Sequence, residues 1–254
     1  MIDTSYKHIA PEADTHIKVK SFYSVCVDNF FKHPDKFRNL GLRLEKKSDP
    51  NGRWPGIRTK NLAEIDFQLS NELILKVFSS FIDLKYTSVS WEESRVVFQE
   101  ITPFSKKNKN VGWIHQDSGY DLAFLIYLTP NADINSGTSL FNIKPECIDN
   151  YVTKKQYEKE KLFKGEKIND AEYDKALADT ENMFYEKTRF SNVYNRLIAY
   201  DSNEFHRANN FTTNTDKRLT LVGFVKNVKI NQMPLKRVKD EKMDNELEDR
   251  ISKL

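Results

Sequence analysis

Between residues 86 and 226 the chain is punctuated into short β-forming runs separated by turn residues, and this rhythm restricts its fold more than any other feature. Residues 87–91, 95–102, 121–129, 136–141, 195–200, 204–208 and 218–226 have strand length and are bounded by polar or turn-forming stretches. The run at 121–129 is almost wholly apolar, as a largely buried strand requires. A series of this kind folds as a sandwich or barrel. One segment breaks it. Residues 150–190 are dense in Lys, Glu and other good helix formers, and predict two helices split near Gly165. Such a charged insertion is either a solvated appendage or a lid over whatever the flanking strands carry.

Upstream, residues 22–27 read as a short strand. Residues 30–42 read as a short helix entered through Pro34, with apolar positions at Phe37, Leu40 and Leu42 or Leu44. His33, just before that proline, reads as a polar helix-entry residue. Residues 48–58 are rich in turn formers, yet hold Trp54, Ile57 and two arginines. They predict a loop that Trp54 anchors or that contacts a ligand. Residues 71–82 predict a buttressing helix capped by Asn71. At the end of the chain, Met243, Leu247, Ile251 and Leu254 form an amphipathic stripe, suited to packing on the domain or to pairing with a second copy as a homodimer.

With 254 residues and 39% hydrophobic content the chain can bury one substantial core. The expected organisation is a single domain over 1–254: an N-terminal strand and buttressing helices (1–85), a β core (86–228) carrying the insert at 150–190, and a tail (229–254). A formal charge of +3, from 40 basic against 37 acidic residues, does not by itself point to nucleic acid. Two cysteines and no Cys-x-x-Cys pair exclude a disulfide framework and a thiolate zinc site, and fit a reducing cytoplasm. No apolar run reaches membrane-spanning length, and residues 1–18 lack the apolar core of a secretion signal.

Within the β series, His115 and Asp117 stand two positions apart, so in extended chain both point to one side and can grip one small ion. Downstream there is a single further histidine, His206. Two imidazoles and one carboxylate, without thiolates, leave coordination positions free. The set suits non-haem Fe(II), with zinc as the chief rival. Arg218 separates the two. The hairpin-like loop 209–216 predicts that the strands bearing His206 and Arg218 are antiparallel neighbours, which brings Arg218 into the same cavity. A buried guanidinium there demands an anion. A dicarboxylate fits, chelating the metal at one end and pairing with Arg218 at the other. Thr220 shares Arg218's face, and Tyr127 is a further candidate donor.

In His115-x-Asp117, the Ser-Gly-Thr-Ser-Leu-Phe turn at 136–141, His206 and Arg218-x-Thr220, residues 86–228 resemble the Fe(II)- and 2-oxoglutarate-dependent oxygenases. Val25-Cys-Val-Asp-Asn-Phe-Phe and Trp54-Pro-Gly-Ile-Arg58 are similar to a prolyl-hydroxylase-like subgroup of bacterial and phage proteins. The resemblance implies a mainly β fold with flanking helices, built on a double-stranded β-helix (a cupin-like jelly roll) with a helical insertion. It implies that His115, Asp117 and His206 hold Fe(II) and that Arg218 binds the far carboxylate of 2-oxoglutarate. The implied reaction uses O2 to hydroxylate a C–H bond, most readily on a peptide or protein side chain such as proline, yielding succinate and CO2. A free amino acid or small metabolite is the next substrate class, and a catalytically silent binding protein or a zinc hydrolase on the same fold are the competing readings. Nucleic acid is disfavoured, because the second downstream arginine of the R-x-N-x-x-x-x-x-R pattern is absent. Gln99, Trp54 and Arg58 are the candidate substrate contacts. The implied setting is the cytoplasm of a bacterial cell or a phage-infected host.

Overall fold

The computed structural model describes residues 16–148, 157–212, 214 and 217–232. In chain order the first elements are β1 (Ile17–Lys18), β2 (Val25–Val27), α1 (Pro34–Arg43), β3 (Lys47–Ser48), β4 (Ile57–Arg58), α2 (Leu62–Ile65) and α3 (Phe67–Phe78). β5 (Val89–Ser90), β6 (Glu93–Ile101), β7 (Leu122–Tyr127) and β8 (Thr138–Ile143) follow, then α4 (Tyr157–Lys164) and α5 (Asp170–Glu181). The described chain closes with β9 (Phe184–Phe190), β10 (Leu197–Asp201), β11 (Phe205–Ala208), β12 (Arg218–Lys226) and β13 (Lys229–Ile230). The fold is mainly β with few helices.

A seven-stranded sheet runs β2-β10-β7-β12-β6-β4-β3, a second sheet runs β11-β8-β9, and β1-β13-β5 form a small third one. Strand alternation gives the large sheet two different faces. On one, Phe98, Phe124, Ile126, Leu197, Ala199, Leu219 and Leu221 join Leu73, Ile74, Val77 and Phe78 of α3 in the main core. On the other, Ala123, Leu125, Tyr127, Ile198 and Tyr200 meet Leu140 of β8 and Phe190 of β9. β7 is therefore buried throughout, as its apolar run predicts. The second face also carries the polar residues of interest: Thr220 is in register with both Gln99 and Tyr127, and Gln99 with Arg58.

Three expectations are corrected. α3 begins earlier than residue 71 because Asp66, not Asn71, caps it, its carboxylate accepting the Leu69 N–H at 2.9 Å. Residues 184–190, assigned above to the helical insert, form strand β9. It is an edge strand whose five central residues are exposed and mostly charged, so no apolar alternation announces it. β11 and β12 are not neighbours: β11 pairs with β8 in the second sheet and β12 with β6 and β7 in the large one. The loop between them crosses from one sheet to the other, and it is this crossing that lets His206 and Arg218 face each other. His33 stands exposed at the entry of α1, as expected. The C-terminal stripe at 240–254 lies outside the described residues. No described helix is long and apolar enough to cross a membrane.

The sheet–helix face is close-packed where the chain has no side chain to offer. A Cβ at Gly223 of β12 would overlap the Phe124 ring on the adjacent strand, and that ring is fully buried. Gly223→Ala is expected to cost about 1–3 kcal/mol of overpacking strain, read as a lowered urea midpoint with unchanged m-value.

Candidate metal centre

The extended segment 112–117 lies along the free edge of β11, where it extends the second sheet. His115 and His206 exchange backbone hydrogen bonds, N–H to O, at 3.0 and 2.9 Å; Gly112 N–H donates to the Ala208 carbonyl at 2.8 Å and Asp117 N–H to that of Ser202 at 3.0 Å. Cross-strand pairing thus sets the two imidazoles side by side, with ring centroids 4.4 Å apart. Ligand atoms of His115, Asp117 and His206 all lie within 4.8 Å of one another, a grouping able to hold one metal ion.

Both rings are oriented from behind. Nδ1 of His115 lies 2.7 Å from the Trp113 carbonyl and Nδ1 of His206 lies 2.8 Å from the Glu204 carbonyl. A ring nitrogen facing a carbonyl must donate, so Nδ1 carries the proton and each Nε2 is aimed inward, the arrangement a metal ligand needs. The Asp117 carboxylate completes the group, 3.1 Å from His206 Nε2 and 3.7 Å from His115 Nε2. Burial pushes the His115 imidazole well below the usual histidine range, and the neighbouring His206 charge adds to that. Burial alone would raise the Asp117 carboxyl. The hydrogen bond from His206 and the charges of His206, His115 and Arg58 outweigh it and hold the carboxyl low. Near neutral pH the group therefore presents a carboxylate beside an unprotonated His115.

The three residues line a cavity of about 580 Å³ between the sheets. Arg218 and Thr220 enter it from β12 and Tyr200 from β10, the Tyr200 ring 4.9 Å from that of His206. Arg218 is only 4% exposed, has no ion pair among the described residues, and its Nε has no hydrogen-bond partner. Burial lowers its pKa, yet a guanidinium stays charged. Tyr127, the further candidate donor, is fully buried beside Arg218: its hydroxyl donates to Thr138 Oγ1 at 3.0 Å, and its ring lies 5.8 Å from the Arg218 guanidinium carbon.

Gln99, Trp54 and Arg58 all reach the same cavity. They are linked to one another. Arg58 Nη2 donates to Gln99 Oε1 at 3.2 Å, and Gln99 Nε2 donates to the Pro55 carbonyl at 2.8 Å. The insert contributes too. Lys159 and Phe163 of α4 line the cavity. α5 is fastened to the 110–113 region by the Trp113 N–H bond to Tyr173 Oη (3.2 Å), by ion pairs of Lys106 and Lys109 with Asp170, and to β11 by Arg207–Glu181. At Gly52, where φ is +66°, a Cβ would collide with the Glu160 carbonyl of α4, so the loop 48–58 and the insert touch through bare backbone.

The sequence profile of the Family of unknown function (DUF6445) matches residues 13–224. The chain belongs to that family. Among curated proteins none matches its sequence. Among solved structures it is similar to an oxidoreductase of the 2OG-Fe(II) oxygenase family from Burkholderia pseudomallei, at 12% identity and TM-score 0.46, over 80% of this chain and 85% of that one. It is also similar to a Pseudomonas putida prolyl-4-hydroxylase, at 12% identity and TM-score 0.42, over 80% and 91% of the two chains. A third similar structure is HygX from Streptomyces hygroscopicus with nickel and 2-oxoglutarate bound, at 14% and TM-score 0.43, over 80% and 82%.

In this DUF6445 chain, Arg95 and Tyr200 escaped the sequence reading, while Arg53, Lys159 and Phe163 fall within the loop and the insert that it named without being singled out themselves. Arg95 shares the inward face of β6 with Gln99, four positions on, and strand alternation could have found it. Arg53 lay inside the loop already singled out. Lys159 and Phe163 sit in a segment where nearly every residue is charged or helix-forming, so nothing distinguished them.

A buried, unpartnered guanidinium weakens a folded protein that has no anion to offer it. Arg218→Met is therefore expected to leave the ligand-free protein as stable as the parent or more so, by about 1 kcal/mol or more, in urea unfolding at neutral pH. A clear loss of stability would mark Arg218 as a structural residue.

Proposed function

We propose that this protein is a non-haem Fe(II)- and 2-oxoglutarate-dependent dioxygenase, its described core a double-stranded β-helix forming a single oxygenase domain. The observation that carries the reading is the pairing of an inward-facing His115/Asp117/His206 group with a buried Arg218 that lacks a counter-ion among the described residues in the same cavity. Two imidazoles and a carboxylate would hold iron and leave open positions for further ligands. A dicarboxylate would answer the Arg218 charge, which a water-activating zinc site has no need of. Bound iron would supply oxygen activation coupled to conversion of 2-oxoglutarate to succinate and CO2, with hydroxylation of a substrate C–H bond.

The chain's own residues do the positioning. The Trp113 and Glu204 carbonyls fix both imidazole rings, so little reorganisation accompanies metal binding. Arg218, backed by the Tyr127 ring, would take the distal carboxylate of 2-oxoglutarate as a bidentate partner, with the Thr220 hydroxyl as an additional donor. Gln99, Trp54 and Arg58 would meet the second substrate. The apolar walls from Ala123, Leu125 and Val222, together with α4, would keep bulk water from the reacting atoms. A peptide or protein side chain as substrate follows from the sequence resemblance alone.

Calorimetry and a coupled succinate assay test the reading together. The purified protein is expected to bind Ni(II), to bind 2-oxoglutarate only once the metal is present, and to form succinate with Fe(II) and O2. His206→Ala and Asp117→Ala should abolish metal binding. Arg218→Met should keep it while weakening 2-oxoglutarate by at least about tenfold. Metal-dependent hydrolysis without any 2-oxoglutarate binding would replace this reading with the zinc one. Metal binding with neither activity would point to the silent binding protein.

A further inference from the structure

The cavity holds more positive charge than the proposed chemistry uses. Arg53, Arg58, Arg95, Lys159 and Arg218 line it against one carboxylate, Asp117. Arg53 is matched by Asp49, which it contacts through Nε at 3.0 Å. In the proposed chemistry Arg218 is assigned to the co-substrate carboxylate and Asp117 to the metal. Arg58 and Arg95 are left without a carboxylate partner among the described residues. Their guanidiniums are held instead by the Trp54 ring, 4.5 and 5.0 Å from its centroid, with Arg53 at 5.0 Å. Such contacts position cations without neutralising them.

Two buried donors at this wall have no acceptor: Nε of Arg58 and Nε1 of Trp54. Burial, and next the charge of Arg95, push Arg58 down to about 9, as a cation still lacking its anion would show. The position of these groups bears on the ligand's size. Lys159 and Phe163 approach the cavity from α4, and Gly52 locks the Trp54 loop against that helix. The charge therefore faces a partly open space whose volume, about 580 Å³, suits a small ligand.

Resting on the dioxygenase reading, we infer that the second substrate is a small organic anion, its carboxylate or phosphate seated between Arg58 and Arg95 beside Trp54. Lys159 of α4 lines the same cavity. The hydroxylated carbon is then a C–H of this molecule turned toward the His115/Asp117/His206 group, while Arg218 remains with the co-substrate.

The probes are phenyl phosphate, benzoate and neutral benzyl alcohol, titrated calorimetrically into the protein saturated with Ni(II) and 2-oxoglutarate. At least one anion is expected to bind, at least about tenfold tighter than the alcohol, and which one binds better separates phosphate from carboxylate recognition. Arg58→Gln with Arg95→Gln should weaken that anion by at least about tenfold, leaving Ni(II) and 2-oxoglutarate affinities and the melting temperature near parental values. The single variants serve if the double one does not fold. Equal binding of anions and alcohol, or a double variant that loses 2-oxoglutarate instead of the probe, would overturn the inference while leaving the dioxygenase reading intact. If the parent protein binds neither Ni(II) nor 2-oxoglutarate, that reading fails, and the same titrations on metal-free protein still decide whether Arg58 and Arg95 form an anion site.

Discussion

Everything about the cavity depends on one short piece of backbone pairing, the antiparallel bridge between His115 and His206. Residues 112–117 have no regular strand conformation of their own, yet three backbone hydrogen bonds hold them along β11 and a fourth ties Asp117 to Ser202. Because directly opposed residues share a face, the bridge alone puts both imidazoles on the inner side of the second sheet, and the two-residue period adds Asp117. The second consequence is tautomeric. Each histidine folds its Nδ1 back onto a carbonyl two residues upstream, Trp113 or Glu204, so one local geometry, used twice, turns both Nε2 atoms toward the same point.

The large sheet sets the opposite wall by a simpler rule. Its central strands are largely buried on both faces, and alternation divides them between two tasks: Phe98, Phe124 and Leu221 pack on α3, while Gln99, Thr220 and Arg218 turn toward the second sheet. A shift of register by one residue in β12 would send Arg218 and Thr220 into the helix-packed core. The tight fit of Gly223 against Phe124 on that side resists such a slip.

Much of this was legible in the chain. The seven β runs, the two insert helices split near Gly165, and the residues His115, Asp117, His206 and Arg218 were all visible, because each rests on local pattern: β-forming runs, helix-forming composition, a two-residue spacing or an isolated histidine. What escaped depends on non-local pairing. The route by which His206 and Arg218 meet was misread because a short connection between two strands usually makes a hairpin, whereas this one crosses between sheets. β9 was hidden by its exposed, charged edge, and the start of α3 was read from Asn71 whereas Asp66, five residues upstream, caps it. Tyr127 was on the expected strand and face, but its hydroxyl was already committed to Thr138.

The insert's position explains why so charged a segment is kept between β8 and β9. A free pair of short helices with this composition would gain little by folding, since neither carries a broad apolar face. Here Tyr173 and Leu177 are buried against Trp113, while Lys106, Lys109 and Arg207 take acidic partners from α5. Trp113 is also the residue whose carbonyl orients His115. The contact that fastens the insert and the one that aims a metal-ligand candidate thus meet on a single residue, so displacing α5 would disturb the imidazole as well as uncover the cavity. α4 then reaches the Trp54 loop through Gly52, joining the three walls that carry charge. Walls built this way bring several cations close together, and the burial of Arg218 among them strengthens its attraction for an anion that enters.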